Sequence, residues 1–282
     1  MSKIIYPCLW LDDQARPAAD FYCSLFADSH ITKESSVVVE FELTGFKIIG
    51  LNGGPNFSIN PSISLFVSCA DDAEINRLSE SLGEGGSFMM PLDKYPWSEK
   101  YAWVKDKFGM TWQLMREEVP KGRSKIIPSL LFSNKQYGKA TEALKLYTSL
   151  LPNSQLHHME FYGENEVQQE GNLKFGHFTL NGQLFAAMDG PGDDKLAFNE
   201  GVSFVVECNN QEEIDHYWNS LTANGGEESM CGWLKDKFGV SWQIIPTVLG
   251  KLMSDPKRGP DVMNALLKMR KLDIAKLENA GN

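Results

Sequence analysis

Cysteine is scarce and scattered in this sequence. Its five cysteines, Cys8, Cys23, Cys69, Cys208 and Cys231, form no C-x-x-C pair. An odd count at low density argues against a disulfide framework or a structural zinc site. Long apolar runs are missing too. The longest reach about five or six residues against the roughly 20 of a bilayer span, so no membrane partner is expected. Basic charge is in deficit: 27 Lys and Arg stand against 37 Asp and Glu, a net charge of −10. That balance lacks the electrostatic footprint of nucleic-acid binding. Met1–Pro7 has no long apolar signal region and runs straight into what reads as a strand, so a cytoplasmic location is expected.

What is present is an ordinary globular composition, 42% hydrophobic and 23% charged over 282 residues. This suggests two domains of about 150 residues each. The chain also repeats itself. Residues 103–114 read W-V-K-D-K-F-G-M-T-W-Q-L and residues 233–244 read W-L-K-D-K-F-G-V-S-W-Q-I, identical at eight of twelve positions. Further pairs follow in the same order, including Phe41-Glu42-Leu43-Thr44-Gly45 with Phe178-Thr179-Leu180-Asn181-Gly182. A collinear series implies duplication. The expected division is a domain at 1–119, a linker at 120–124, a second domain at 125–246 and a helical tail at 247–282.

A finer repeat lies inside each half. Four times an apolar strand ends in Asp, Asn or Ser and opens an amphipathic helix, at Asp12-Asp13, Asp71-Asp72, Ser133-Asn134 and Asn209-Asn210. Such side chains cap the free N–H groups of a first helical turn. Strand-like runs follow each helix, with hairpin turns at Thr44-Gly45 and Asn181-Gly182. The unit reads β-α-β-β-β, its first intermediate strand weak, and four units fill residues 1–246. Strand alternation places Ile63, Leu65 and Val67 under a helix and Ser62, Ser64 and Phe66 on the opposite face. Trp112 and Trp242 fall on the helix side. Lys105-Asp106-Lys107-Phe108-Gly109 and its copy read as charged hairpin turns with glycine at positive φ.

Paired βαβββ modules resemble the vicinal oxygen chelate superfamily, which includes glyoxalases, bleomycin-resistance proteins and dihydroxybiphenyl dioxygenases. Pro7-Cys8-Leu9-Trp10-Leu11-Asp12-Asp13, Leu51-Asn52-Gly53-Gly54-Pro55 and Cys231-Gly232-Trp233-Leu234-Lys235-Asp236-Lys237-Phe238-Gly239 are similar to its PhnB-like branch. That branch is also labelled 3-demethylubiquinone-9 3-methyltransferase-like. The resemblance implies an α+β fold of two curved, glyoxalase-like mixed sheets, with a helical C-terminal tail. It also implies metal-ligand positions at Tyr6, Gly50, Ser62 and Gln113, and at Ile127, Ala187, Gly201 and Gln243. Only the two glutamines there could ligate a metal in the usual way, short of the roughly three ligands such a site needs, so no metal and no cofactor are expected. Methyl transfer is implied by the label alone. The first strand leads into Leu11-Asp12-Asp13-Gln14-Ala15, without the glycine-rich loop of a doubly wound nucleotide fold.

The remaining candidates are weighed singly. His157-His158 reads as part of a polar stretch leading into a loop. Cys69 and Cys208 occupy equivalent strand ends and read as packing; Cys8 and Cys231 could face a hollow. The expected partner is a small molecule in the concave face of the N-terminal domain, lined by Tyr6, Cys8, Trp10, Asn52, Ser62, Ser64, Trp103, Thr111 and Gln113. Residues 88–100, largely lacking from the second copy, read as a lid loop beside it. The other half offers Ser129, Asp189, Ser203 and Gln243. A non-catalytic binding protein of the bleomycin-resistance kind, or a divergent metal-dependent lyase or dioxygenase, are the alternatives. In the tail Asp261 could cap a helix bearing Val262, Met263, Leu266 and Leu267. That helix covers its own domain or a second chain in a homodimer.

Overall fold

The computed structural model describes residues 5–119, 123–192 and 196–281. The reading of 120–124 as a linker therefore lies largely outside the described residues. The chain divides into two compact units, one of Tyr6–Val202 and the other of Ser203 onward with Ile5. The larger unit holds an eight-stranded mixed sheet and the four strands of the first module, and the smaller unit holds the strands of the fourth.

The larger unit holds three βαβββ modules. The first is β1 (Tyr6–Leu11), α1 (Ala15–Leu25), β2 (His30–Glu34), β3 (Val38–Leu43) and β4 (Phe46–Asn52). The second is β5 (Ile63–Cys69), α2 (Asp72–Gly83), β6 (Ser87–Tyr95), β7 (Ser98–Lys105) and β8 (Thr111–Arg116). The third is β9 (Ile126–Phe132), α3 (Ala140–Leu150), β10 (Gln155–Phe161), β11 (Leu173–Leu180) and β12 (Gln183–Asp189). The first runs β1-β4-β3-β2, with β1 and β4 parallel. The second and third share one sheet, β10-β11-β12-β9-β5-β8-β7-β6. The fourth module, in the smaller unit, supplies β13 (Val202–Cys208), α4 (Gln211–Thr222), β14 (Glu227–Glu228), β15 (Trp233–Lys235) and β16 (Ser241–Pro246), ordered β14-β15-β16-β13.

The modules are as expected, but their pairing is not the one the duplication suggests. β5 joins β9 antiparallel from Ile63↔Leu130 to Val67↔Ile126, across the boundary between the repeated halves. Both strands are buried along their whole length, as suits the two central strands of the sheet. The 1–119 and 125–246 division describes how the sequence was duplicated; the β5–β12 sheet is shared by both halves. The intermediate strands also differ from expectation. β6 has nine residues and β10 seven, and only β14, with two, is weak.

Capping separates odd from even modules. Asp71 accepts from Glu74 N at 2.8 Å, and Glu74 Oε2 accepts from Ala70 N. Asn210 and Glu213 repeat this reciprocal box before α4. At α1 and α3 the expected local caps are replaced from another strand. Asn52 Oδ1, on β4, accepts from Ala15 N at 2.9 Å. Asp189, on β12, accepts from Gly138 N and Ala140 N. A 3-10 turn at Asn134–Gln136 intervenes before α3. The hairpin turn Asn181-Gly182 carries positive φ at both residues, 48° and 86°, as a two-residue hairpin requires.

The tail packs on its own unit through α5 (Leu249–Met253), α6 (Gly259–Leu266) and α7 (Ile274–Asn279). Val262, Leu272 and Leu277 are fully buried there against Ile245. Asp261 lies inside the first turn of α6, whose cap is Arg258; Asp273 is the residue that caps, accepting from Lys276 N.

Candidate functional site

The duplicated turn sets the geometry. Asp106 is buried; its Oδ1 accepts from Phe108 N (2.8 Å) and Met110 N (3.1 Å), and its Oδ2 from Trp112 Nε1 (2.7 Å) and Tyr22 OH (2.8 Å). Burial pushes this carboxyl's pKa up, and the four donors pull it back toward the charged form. Asp236 holds Phe238 N, Val240 N and Trp242 Nε1 in the copy. The charged turn, with Gly109 and Gly239 at positive φ as expected, is thus built on a buried carboxylate. Because side chains alternate along β8, pinning Trp112 under the helices directs Gln113 to the opposite face.

On that face Gln113 lies across from Phe66 of β5 and Trp103 of β7, and Ser64 lies across from Ser129 of β9. Tyr101 OH donates to Gln113 Oε1 at 2.8 Å. Gln113 Nε2 donates to Ser64 Oγ at 2.6 Å and to Ser129 Oγ at 3.4 Å. All four residues are at most 5% exposed. Around them Phe66, Tyr101, Ile127 and Ala186 form an apolar floor, edged by the partly exposed Met90, Tyr95, Trp103, Met115, Phe175 and Leu184. The Trp103 indole N–H is buried and has no hydrogen-bond partner among the described residues.

Of the nine residues expected to line one hollow, Ser64, Trp103 and Gln113 come together here. Thr111, on the same face of β8, turns its hydroxyl to Ile63 O at 3.4 Å. Ser62 is buried just before β5, its N–H held by Asn60 Oδ1. Tyr6, Cys8, Trp10 and Asn52 lie on β1 and β4, strands that are not in this sheet. The grouping is corrected because β5 takes β9 as its neighbour. Asn52 is occupied in capping α1 and bonding Ser36 O. Trp10 donates to Gly54 O at 2.7 Å and meets Phe57 edge-on. Tyr6 lies under Lys47 Nζ at 4.1 Å, and Cys8 is buried.

The 88–100 insertion is a second correction. It is strand rather than lid: β6 and β7 pair as a bulged hairpin. At its tip Trp97 stacks on Tyr95 (5.2 Å), and both meet Tyr101 edge-on. His157 and His158 likewise lie on β10, where His157 Nε2 meets Thr179 Oγ1 at 2.5 Å. Sequence reasoning missed Tyr101, Phe175 and the role of Ser129 in this site. The signal for Tyr101 was its two-residue spacing from Trp103; Ser129 and Phe175 belong to the third module, whose pairing no local pattern reveals. In the smaller unit Gln243 Nε2 donates to Ser203 Oγ at 2.9 Å, repeating the Gln113–Ser64 bond.

Electrostatics here are muted. Burial pushes the Tyr101 hydroxyl pKa upward. His177, edge-on to Phe175 at 4.9 Å, is pushed down to about 4, chiefly by burial and then by Arg123, His158 and His157. Between pH 6.5 and 4 the unfolded chain therefore holds a proton on this imidazole that the native one does not. Stability is expected to fall as pH drops through that window. The loss should be smaller in His177→Gln, measured as urea midpoints at pH 7 and 4.5.

The thiols are not activated: burial pushes Cys69 to about 12 and raises Cys23 and Cys231. Among the described residues no three His, Cys, Asp or Glu side chains gather as metal ligands. The Gln113 amide is already engaged on both sides, so the residues present do not fit the metal site that the fold family implies.

No helix among the described residues is long and apolar enough to cross a membrane. The family model described as 3-demethylubiquinone-9 3-methyltransferase matches residues 3–115 and 124–245. Curated proteins offer no match. A solved PhnB protein from Bacillus cereus is 30% identical over 40% of this chain and 98% of its own, with a TM-score of 0.38. Glyoxalase I from Zea mays, 10% identical, covers 86% of this chain and 92% of its own at a TM-score of 0.55, a likeness of fold. With the same family model matched twice along its length, this chain belongs to the PhnB-like 3-demethylubiquinone-9 3-methyltransferase family, as a tandem duplicate on the glyoxalase fold.

Proposed function

We propose that the chain binds a small molecule on the helix-free face of the β5–β12 sheet, through side chains and without a metal. The Trp103 indole carries this reading: a buried N–H without an acceptor costs about 1–3 kcal/mol, and a ligand acceptor would recover it. The fully buried floor and partly exposed aromatic rim supply the apolar area that small-molecule sites use. The family label names methyl transfer, but nothing in the geometry of this face supplies a methyl donor's binding loop.

Ligand-observed NMR against a metabolite library tests it. Hits should weaken about tenfold in Trp103→Phe, which keeps the ring and removes the N–H. They should persist in Trp10→Phe, on β1. Hits that ignore Trp103→Phe and vanish in Ser203→Ala/Gln243→Ala would move the site to the smaller unit.

A further inference from the structure

The hydrogen-bond accounting of this face restricts what it can hold. Both ends of the Gln113 amide are engaged: its oxygen takes Tyr101 OH and its nitrogen donates to Ser64 and Ser129. Each serine oxygen therefore acts as an acceptor toward Gln113, and its own O–H remains a donor. The Trp103 N–H is a third donor. Among the described residues the Trp103 N–H is the buried donor of this face left without a partner, so a complementary ligand must offer it an acceptor.

Charge restricts it further. The central positions of the face, across β7, β8, β5 and β9, are Trp103, Gln113, Phe66, Ser64 and Ser129 with Tyr101, none of them ionised at neutral pH. A carboxylate or phosphate placed there would lose its hydration with no cationic side chain among these central positions to replace it, a cost of several kcal/mol per ion. Aromatic area completes the constraint. Phe66 and Phe175 lie 6.0 Å apart at 47°, an open tilted pair rather than a closed stack.

We infer that the ligand of this face is an uncharged aromatic molecule bearing a carbonyl-type hydrogen-bond acceptor. The inference rests on the reading of the face as a binding site and adds the chemical class.

Three probes with one ring system separate the contributions: 2-acetylnaphthalene, 2-naphthoate and naphthalene, titrated calorimetrically into the full chain. 2-Acetylnaphthalene should bind at least tenfold tighter than either of the others. Trp103→Phe should bring it down to the naphthalene level while leaving naphthalene unchanged. Ser129→Ala, a smaller change should the tryptophan variant fold poorly, should weaken the ketone several-fold and naphthalene not at all. Tighter binding of 2-naphthoate, or equal binding of ketone and hydrocarbon, overturns the inference and leaves the site standing. Binding of none of the three counts against the site itself.

Discussion

Asp106→Ala is expected to lower the unfolding free energy by about 3–5 kcal/mol, the largest effect of any single polar substitution proposed for this protein. Four donors converge on this one carboxylate: two backbone N–H groups of the turn, the Trp112 indole and the Tyr22 hydroxyl. Truncation orphans them together in the core, where Trp112 and Tyr22 are fully buried. Asp106→Asn should be nearly as damaging despite its shape. Asparagine has one acceptor oxygen, so its NH2 must face either the two backbone donors or the indole and phenol donors. Urea unfolding of both variants checks this. A loss below about 1 kcal/mol in Asp106→Asn would mean that the turn, rather than the carboxylate, holds the indole.

Gly201→Ala should cost about 2–3 kcal/mol, through crowding rather than lost bonding. A Cβ built there would lie 2.5 Å from Ser58 O, 2.7 Å from Ser58 C and 2.8 Å from Ile59 Cα. All three are backbone atoms and cannot turn aside as a flexible side chain would. The approach is held from both sides, by Asn199 Nδ2 on Ser58 O, Asn60 Nδ2 on Ala197 O and Trp10 N on Gly201 O. The family resemblance counts Gly201 among the metal-ligand positions. The structure gives the physical reason that a side chain is missing there: the segment before β5 occupies the space. A thermal midpoint unchanged within about 1 °C, against the several degrees expected of such a loss, would show that the two segments can part.

Much of the architecture was legible in the chain alone, because it rests on local physics. Strand parity put Trp112 and Trp242 in the core and Ser64, Phe66 and Gln113 on the other face, and they lie there. The Asn181-Gly182 dipeptide marked a hairpin whose two positive φ angles few other residue pairs accept. The strand-end pairs Asp71-Asp72 and Asn209-Asn210 marked two helix starts, which Asp71 and Asn210 cap. What the chain could not declare was which module lies beside which. The opening strands of the four modules share one pattern, so β5 could pair with any of them on the evidence of alternation alone. Only the three-dimensional fold selects β9, and that selection brings Ser129 to Gln113 and separates Trp10 from it. It likewise decides that Asn52 and Asp189, polar side chains at strand ends, serve helix N–H groups close in space and distant in sequence. Periodicity records which way a side chain points; its partner depends on contacts between strands far apart in the chain, and those exist only once the sheet has closed.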